Sequence, residues 1–469
     1  MTRALSFVAL LAVASAMVTA APVSARTDPT ELWTGVPVAL ATNADGVTAM
    51  LAHDGSSDLL YVRDAAGTWS QPQDVGVDGT NADVAVSGSG EVTVAWVADG
   101  AFAVAGHVGA WSDPVVVETS DSWGVVGVGI DLEVNDAGAA VLTYLAGTMH
   151  SLKVAYRPSD AGAWQAPVDV GGTGETSRWG LAEIDSAGRA TVAWGKLDGL
   201  GAAVMSVTSD ATGTFAEPTV LDQQVGVEVG DIAVAGNAAG DTVVAWMLTD
   251  FSTSSVSVRE RSPAGDFGPA TVIDPAVAGP CGVLSLSVDP AGDAVLAYCR
   301  TSSSTRVAIT GTGRRSGASW TAPRDIVRMT VPDPRPVPTP GITGYRLAPT
   351  PDERWRLVWA TDSEGGDTIS QATWAPEDTL RPVPEPIATT DAYSLGDPYG
   401  PVDFLLAEDA GSFEAYVAWT ALRVVPYGQV LYGAELTQLT PAPAAGASRP
   451  SRWPASRARS GCPSSSGRE

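Results

Sequence analysis

The sequence predicts an all-β protein, a β-propeller of four-stranded antiparallel blades. Three observations predict it. A hairpin phrase that ends in an aromatic residue recurs along the chain. A second phrase, Gly-x-Trp/Phe-x-x-Pro, interleaves with the first. The second strand of the hairpin phrase is apolar on both faces.

The hairpin phrase is clearest in "SVDPAGDAVLAYCR" (287–300). Asp289 suits the first turn position because its carboxylate accepts from the amide two residues on. Pro290 presets φ, and Gly292 tolerates the left-handed conformation that closes the turn. Leu284, Leu286 and Val288 alternate before the turn, and Ala294, Leu296 and Tyr298 alternate after it. That is a β-hairpin.

In "VTVAW", Val92, Val94 and Trp96 share one side while Thr93 and Ala95 share the other. A strand without a polar face belongs between neighbouring sheets. The residue before the aromatic is small at Ala95, Thr143, Ala193, Ala245, Ala297 and Ala418, which lets a neighbouring sheet come close.

The aromatic stands at Trp96, Tyr144, Trp194, Trp246, Tyr298, Trp359 and Trp419, at intervals of 48, 50, 52, 52, 61 and 60 residues. A fainter copy has Ala52 in its place, giving eight copies. Periods near fifty residues mark propellers, solenoids or arrays. The second phrase reads "GTWSQP" (67–72), "GAWSDP" (109–114), "GAWQAP" (162–167) and "GTFAEP" (213–218), each followed by a short apolar strand. A further strand, such as "AFAVAGHV" or "LKVAYR", lies between the phrases. Each unit thus holds four strands, a to d, and proline suits the outer edge strand d.

Eight blades are expected, with seven as the alternative count. The last copy, "VLYGAELTQL", lacks a following outer strand, and "ELWTGVP" (31–37) is placed to supply it. The N-terminal strand would then close the ring. The rivals are a β-solenoid or a row of small sandwiches. Solenoid units are shorter, and separate domains would need linkers that do not occur before about residue 440.

Residues 1–25 read as a secretory signal, with Arg3, an apolar core and "VSA" before Arg26. An uncleaved anchor is the alternative, but the apolar run is short for a full span. The propeller is expected over 26–440 and a disordered Pro/Ala/Ser/Arg tail over 441–469. The expected localisation is extracellular. There are 53 acidic and 27 basic residues, with only Lys153 and Lys196 as lysines. That balance disfavours nucleic acid and anionic lipid as partners, and it also serves plain solubility. Cys281 and Cys299 flank the hairpin nearly opposite one another and read as a disulfide in an exported chain. Two free buried thiols are the alternative, and Cys462 lies in the tail.

The second phrase resembles the Asp-box of sialidase-like propellers. "SDAGAW" (159–164) carries Ser159, Asp160, Gly162 and Trp164, and "DAAGTW" (64–69) carries Asp64, Gly67 and Trp69. Both depart from the box spacing by a residue, and most other copies lack the Asp. The resemblance implies propeller architecture and strand order. In that family the boxes are structural turns, so they imply no activity. A sialidase-like site would also need three arginines for a carboxylate and a Tyr/Glu pair. Arg346, in "GYRLAP", and Arg178, beside another inner strand, are the two candidates, without a third.

Other chemistries lack signatures. His53, His107 and His150 are far apart and in no metal-binding spacing. There is no phosphate-binding Gly loop and no nucleophile elbow. Turn Asp and Asn residues fit turn-making better than a calcium loop. No cofactor, metal or catalytic residue is assigned. The loops joining strand d to a, and b to c, share one face. There Trp123, Trp179, Tyr393 and Tyr399 stand near Asp121, Glu175, Asp391 and Asp397. Aromatics beside carboxylates suit sugar rings, although such aromatics also cap blade ends by local packing. The expected function is an exported, non-catalytic propeller that binds a glycan or protein on that face, with Arg178 and Arg346 as further contacts. The alternatives are a sialidase-like hydrolase or lyase, and a structural envelope protein.

Overall fold

The computed structural model describes residues 30–438 apart from strand connections, the longest of which are 76–81, 120–129, 331–341 and 390–403. The described strands form eight four-stranded antiparallel sheets. Seven of them are blades built from four consecutive strands. Their inner strands are, in order, Val36–Thr42, Ala82–Val86, Asp131–Val134, Thr176–Ile184, Glu228–Gly236, Ser285–Val288 and Ile342–Pro349. These are blades 1 to 7.

The remaining sheet is composite. Phe404–Asp409, Glu414–Val425 and Gln429–Gln438 come from the C-terminal side, and Thr30–Thr34 supplies the outer strand. Thr30 pairs with Leu436 and Thr34 with Gly433. Each inner strand touches the next, and Phe404–Asp409 touches Val36–Thr42, so the ring closes. The fold is therefore a β-propeller with four-stranded antiparallel blades. Among the described residues no helix is long and apolar enough to cross a membrane.

The turn chemistry follows from the sequence. Asp289 Oδ1 accepts from Ala291 N at 2.9 Å, and Gly292 N donates to Asp289 O at 2.9 Å. Gly292 has φ 83°, in the left-handed region that glycine alone adopts without strain.

The core lies between blades, not within a single layer. Val92, Val94 and Trp96 of blade 2 cluster with Ala49, Leu51 and Leu60 of blade 1. Ala95 of the same strand clusters with Leu132 and Leu142 of blade 3. The strand is buried on both sides, as its composition requires. The small residues before the aromatics are all buried where described, and Thr143 Oγ1 reaches Gly180 O of blade 4 at 2.6 Å. Burying a Val or Leu side chain stabilises by about 1.5–3 kcal/mol, so these seams hold the ring together.

Candidate functional site

The a–b and c–d turns share one face of the ring, and the b–c and d–a connections share the other. On the turn face, polar side chains bridge blades. Asn43 Nδ2 donates to Ser87 O at 2.7 Å, and Asn135 Nδ2 donates to Asp185 O at 2.7 Å. Asn237 Nδ2 donates to Asp289 O at 3.3 Å. Each bond runs from the first turn residue of one blade to its equivalent in the next. The donors stand in blades 1, 3 and 5, and the acceptors Ser87, Asp185 and Asp289 in blades 2, 4 and 6. Blade 4 is joined to blade 5 in another way, with Ser186 Oγ donating to Ala238 O at 2.6 Å.

The Gly-x-Trp phrase belongs to the same face. The Arg157 guanidinium lies 5.6 Å from the Trp164 ring. Its Nη1 and Nη2 donate back to Glu91 Oε1 and Thr93 Oγ1 of blade 2, both at 3.1 Å. Arg314 repeats this in blade 6, with Trp320 at 5.9 Å and Glu260 of blade 5 at 2.7 Å. The aromatic of the phrase covers an arginine that ties its blade to the one before. In these two blades the phrase has a structural part.

The aromatics of the hairpin phrase also bridge blades. Tyr144 donates to Glu118 Oε2 at 2.8 Å, Trp246 Nε1 to Asp222 Oδ2 at 3.0 Å and Tyr298 to Asp274 Oδ2 at 2.8 Å. In each case the acid sits on the outer strand of the preceding blade. Burial, and then the adjoining carboxylate, push the Tyr144 and Tyr298 phenols well above the usual range. Both stay neutral and are poor nucleophiles. The sequence hinted at these acids only as carboxylates within outer apolar strands.

The inner strands carry a ring of polar side chains. Asp83 Oδ2 accepts from Leu132 N at 2.8 Å, and Asp131 Oδ2 from Ala182 N at 2.7 Å. Ser285 Oγ accepts from Leu347 N at 2.9 Å. Asp231 likewise accepts from Leu284 N. Each bond joins one inner strand to the next. Burial pushes Asp231 up to about 7, against the opposing pull of the Leu284 and Ile232 amides and the Arg346 charge. Burial also raises Glu183, helped by Asp131 and Asp185.

Arg346 sits on the inner strand of blade 7, as expected. It is 1% exposed, and its Nη1 donates to Tyr345 O at 2.7 Å. Its charge is felt at Asp231. Arg178 and Trp179 lie at a bulge in the inner strand of blade 4, where Arg178 pairs with Gly195 and Gly180 with Trp194. Their side chains are outside the described residues, as are Trp123, Tyr393 and Tyr399. Cys299 is buried and disulfide-bonded, while Cys281 is outside the described residues. Among the described residues no three His, Cys, Asp or Glu side chains converge as a metal site.

No protein-family model matches this chain, and no curated protein matches it in sequence. Solved structures resemble it at low identity. Saccharomyces cerevisiae Sqt1 is 9% identical over 88% of this chain and 98% of its own, with a TM-score of 0.47. A PL25 ulvan lyase bound to -[GlcA(1-4)Rha3S]- is 10% identical over 87% of this chain and 96% of its own, with a TM-score of 0.45. The Hadza microbial sialidase Hz136 is 13% identical over 68% of this chain and 71% of its own, with a TM-score of 0.37. Likeness of this degree does not carry an activity across.

Proposed function

We propose that this chain is an exported, non-catalytic propeller that binds a glycan on the face carrying the b–c and d–a loops. One observation carries the reading: polar side chains on the opposite face are engaged in joining blades, from Asn43 to Ser87 and from Arg157 to Glu91. The inner-strand carboxylates Asp83 and Asp131 are engaged in the same way. The proposed ligand face is the other one, to which the sequence assigns Trp123, Trp179, Tyr393 and Tyr399. Export is supported by the leader-like residues 1–25 and by the disulfide-bonded Cys299.

The test is a glycan array probed with the protein lacking residues 1–25. We expect retention of an oligosaccharide, reduced at least tenfold by Trp179→Ala. A blank array, with capture of an extracellular protein instead, would replace the ligand class.

A sialidase-like hydrolase or lyase is the second reading. It is favoured by Asp231, whose carboxyl is pushed up to about 7 within reach of the Arg346 charge, as befits an acid–base group. Turnover of fluorogenic glycosides that disappears in Asp231→Asn would establish it over the binding role.

A further inference from the structure

The repeat supplies its own internal control, and blade 1 departs from it. Counting from the aromatic position, the next residue pairs across to strand c. In three other blades that pair is two large apolar residues: Val97 with Phe102, Leu145 with Leu152 and Met247 with Val256. In blade 1 it is His53 opposite Asp58. His53 Nδ1 lies 2.6 Å from Asp58 Oδ1, with the side chains 23% and 0% exposed. The preceding residue departs as well, with Ala52 where the other blades carry Trp or Tyr.

Packing does not ask for this pair. A fully buried carboxylate carries a desolvation cost, and an apolar pair of similar size would fill the seam without it. A buried hydrogen-bonded histidine–carboxylate pair at a position where the same fold repeatedly uses hydrocarbon marks a functional departure. The pair lies at the b–c connection, on the loop-bearing face. A carboxylate partner at Nδ1 favours the tautomer that carries its proton there, in which Nε2 is the ring's acceptor.

We propose that His53, oriented by Asp58, is a ligand-recognition group that accepts a hydrogen bond from a hydroxyl of a bound carbohydrate through Nε2. The adjoining carboxylate and the formal net charge of −26 favour a neutral hydroxyl over an anion. This inference rests on the glycan-binding reading and adds to it a named contact in blade 1.

The test titrates the oligosaccharide retained on the array against three proteins: wild type, His53→Gln, and the double variant His53→Val/Asp58→Leu, which restores the pair type of the other blades. We expect His53→Gln to weaken binding at least tenfold. The double variant should weaken it as much while its Tm stays level or rises. Long-range 15N NMR of the imidazoles should show His53 protonated on Nδ1 and its Nε2 resonance shifting as ligand is added. Wild-type affinity in His53→Gln overturns the dyad and leaves the glycan reading standing. A double variant that melts lower yet binds normally assigns the pair to stability and overturns it too. A wild-type protein that retains no glycan overturns the underlying reading, and this ligand class with it.

Discussion

The Tyr144 hydroxyl donates to Glu118 Oε2 at 2.8 Å across the boundary between blades 2 and 3. Phe102 stacks on the same ring at 4.0 Å, so the ring would be held without the hydroxyl. Tyr144→Phe then removes one charge-assisted hydrogen bond and little else. The unfolding free energy should fall by about 1.5–3 kcal/mol, read from urea denaturation. An unchanged midpoint would show that the latch contributes nothing.

Two tryptophans at equivalent positions differ in one bond. Trp246 Nε1 donates to Asp222, whereas Trp194 Nε1 is buried and has no partner among the described residues. Replacing either by Phe creates a similar void. Trp246→Phe should therefore be the more destabilising, by about 1 kcal/mol or more. Equal losses in parallel denaturation curves would contradict the assignment.

The asparagine bridge on the turn face makes a sharper comparison. Asn135 Oδ1 accepts from Ala139 N at 2.9 Å within its own turn, and Nδ2 reaches into blade 4. Asn135→Asp keeps the turn and loses the bridge, placing a carboxylate against the Asp185 carbonyl. A loss of about 1–3 kcal/mol is expected, visible as a lower Tm at neutral pH. At a pH low enough to protonate the new carboxyl, the deficit should shrink.

The Asp231 carboxyl is raised by burial to about 7, above its unfolded value. The folded state then holds the proton more tightly than the unfolded chain does. Its stabilising contribution is complete below the unfolded pKa and is lost as pH rises through about 7. Asp231→Asn removes this dependence and can still accept from Leu284 N. Its Tm relative to wild type should improve between pH 4 and 8, over roughly the interval separating the two pKa values. A constant difference across that range would refute the raised value.

Cys299 is disulfide-bonded, and Cys281 is its proposed partner. In the register of blade 6, Ser285 pairs with Ala297, two residues before Cys299. A non-reducing digest should yield a peptide linking residues 281 and 299. Cys281→Ser should lower stability by about 3 kcal/mol for a loop of this size. A Cys299–Cys462 linkage would overturn the pairing.

Much of the architecture was legible because it is local. The turn at Asp289–Gly292 needs only its own residues, and the alternation in "VTVAW" states that both faces are buried. The missing outer strand of the last copy pointed to residues 31–37, and Thr30–Thr34 does pair with Gln429–Gln438. The site was less legible. Arg346 was placed on an inner strand, but its 1% exposure was not foreseeable from its neighbours. His53 and Asp58 were visible only as a histidine without metal spacing and one acid among many. Their pairing becomes meaningful once the other blades show what that position normally holds.

The strands, their turns and the repeat follow from local chain chemistry, because backbone preference and two-residue periodicity act over a few residues. The role of each repeated polar residue emerges only from the assembled ring. Glu118 and Tyr144, or Arg157 and Glu91, lie far apart along the chain and on different blades. They meet only when the ring brings one sheet's flank against the next, and a buried donor or acceptor there must find its partner across that seam.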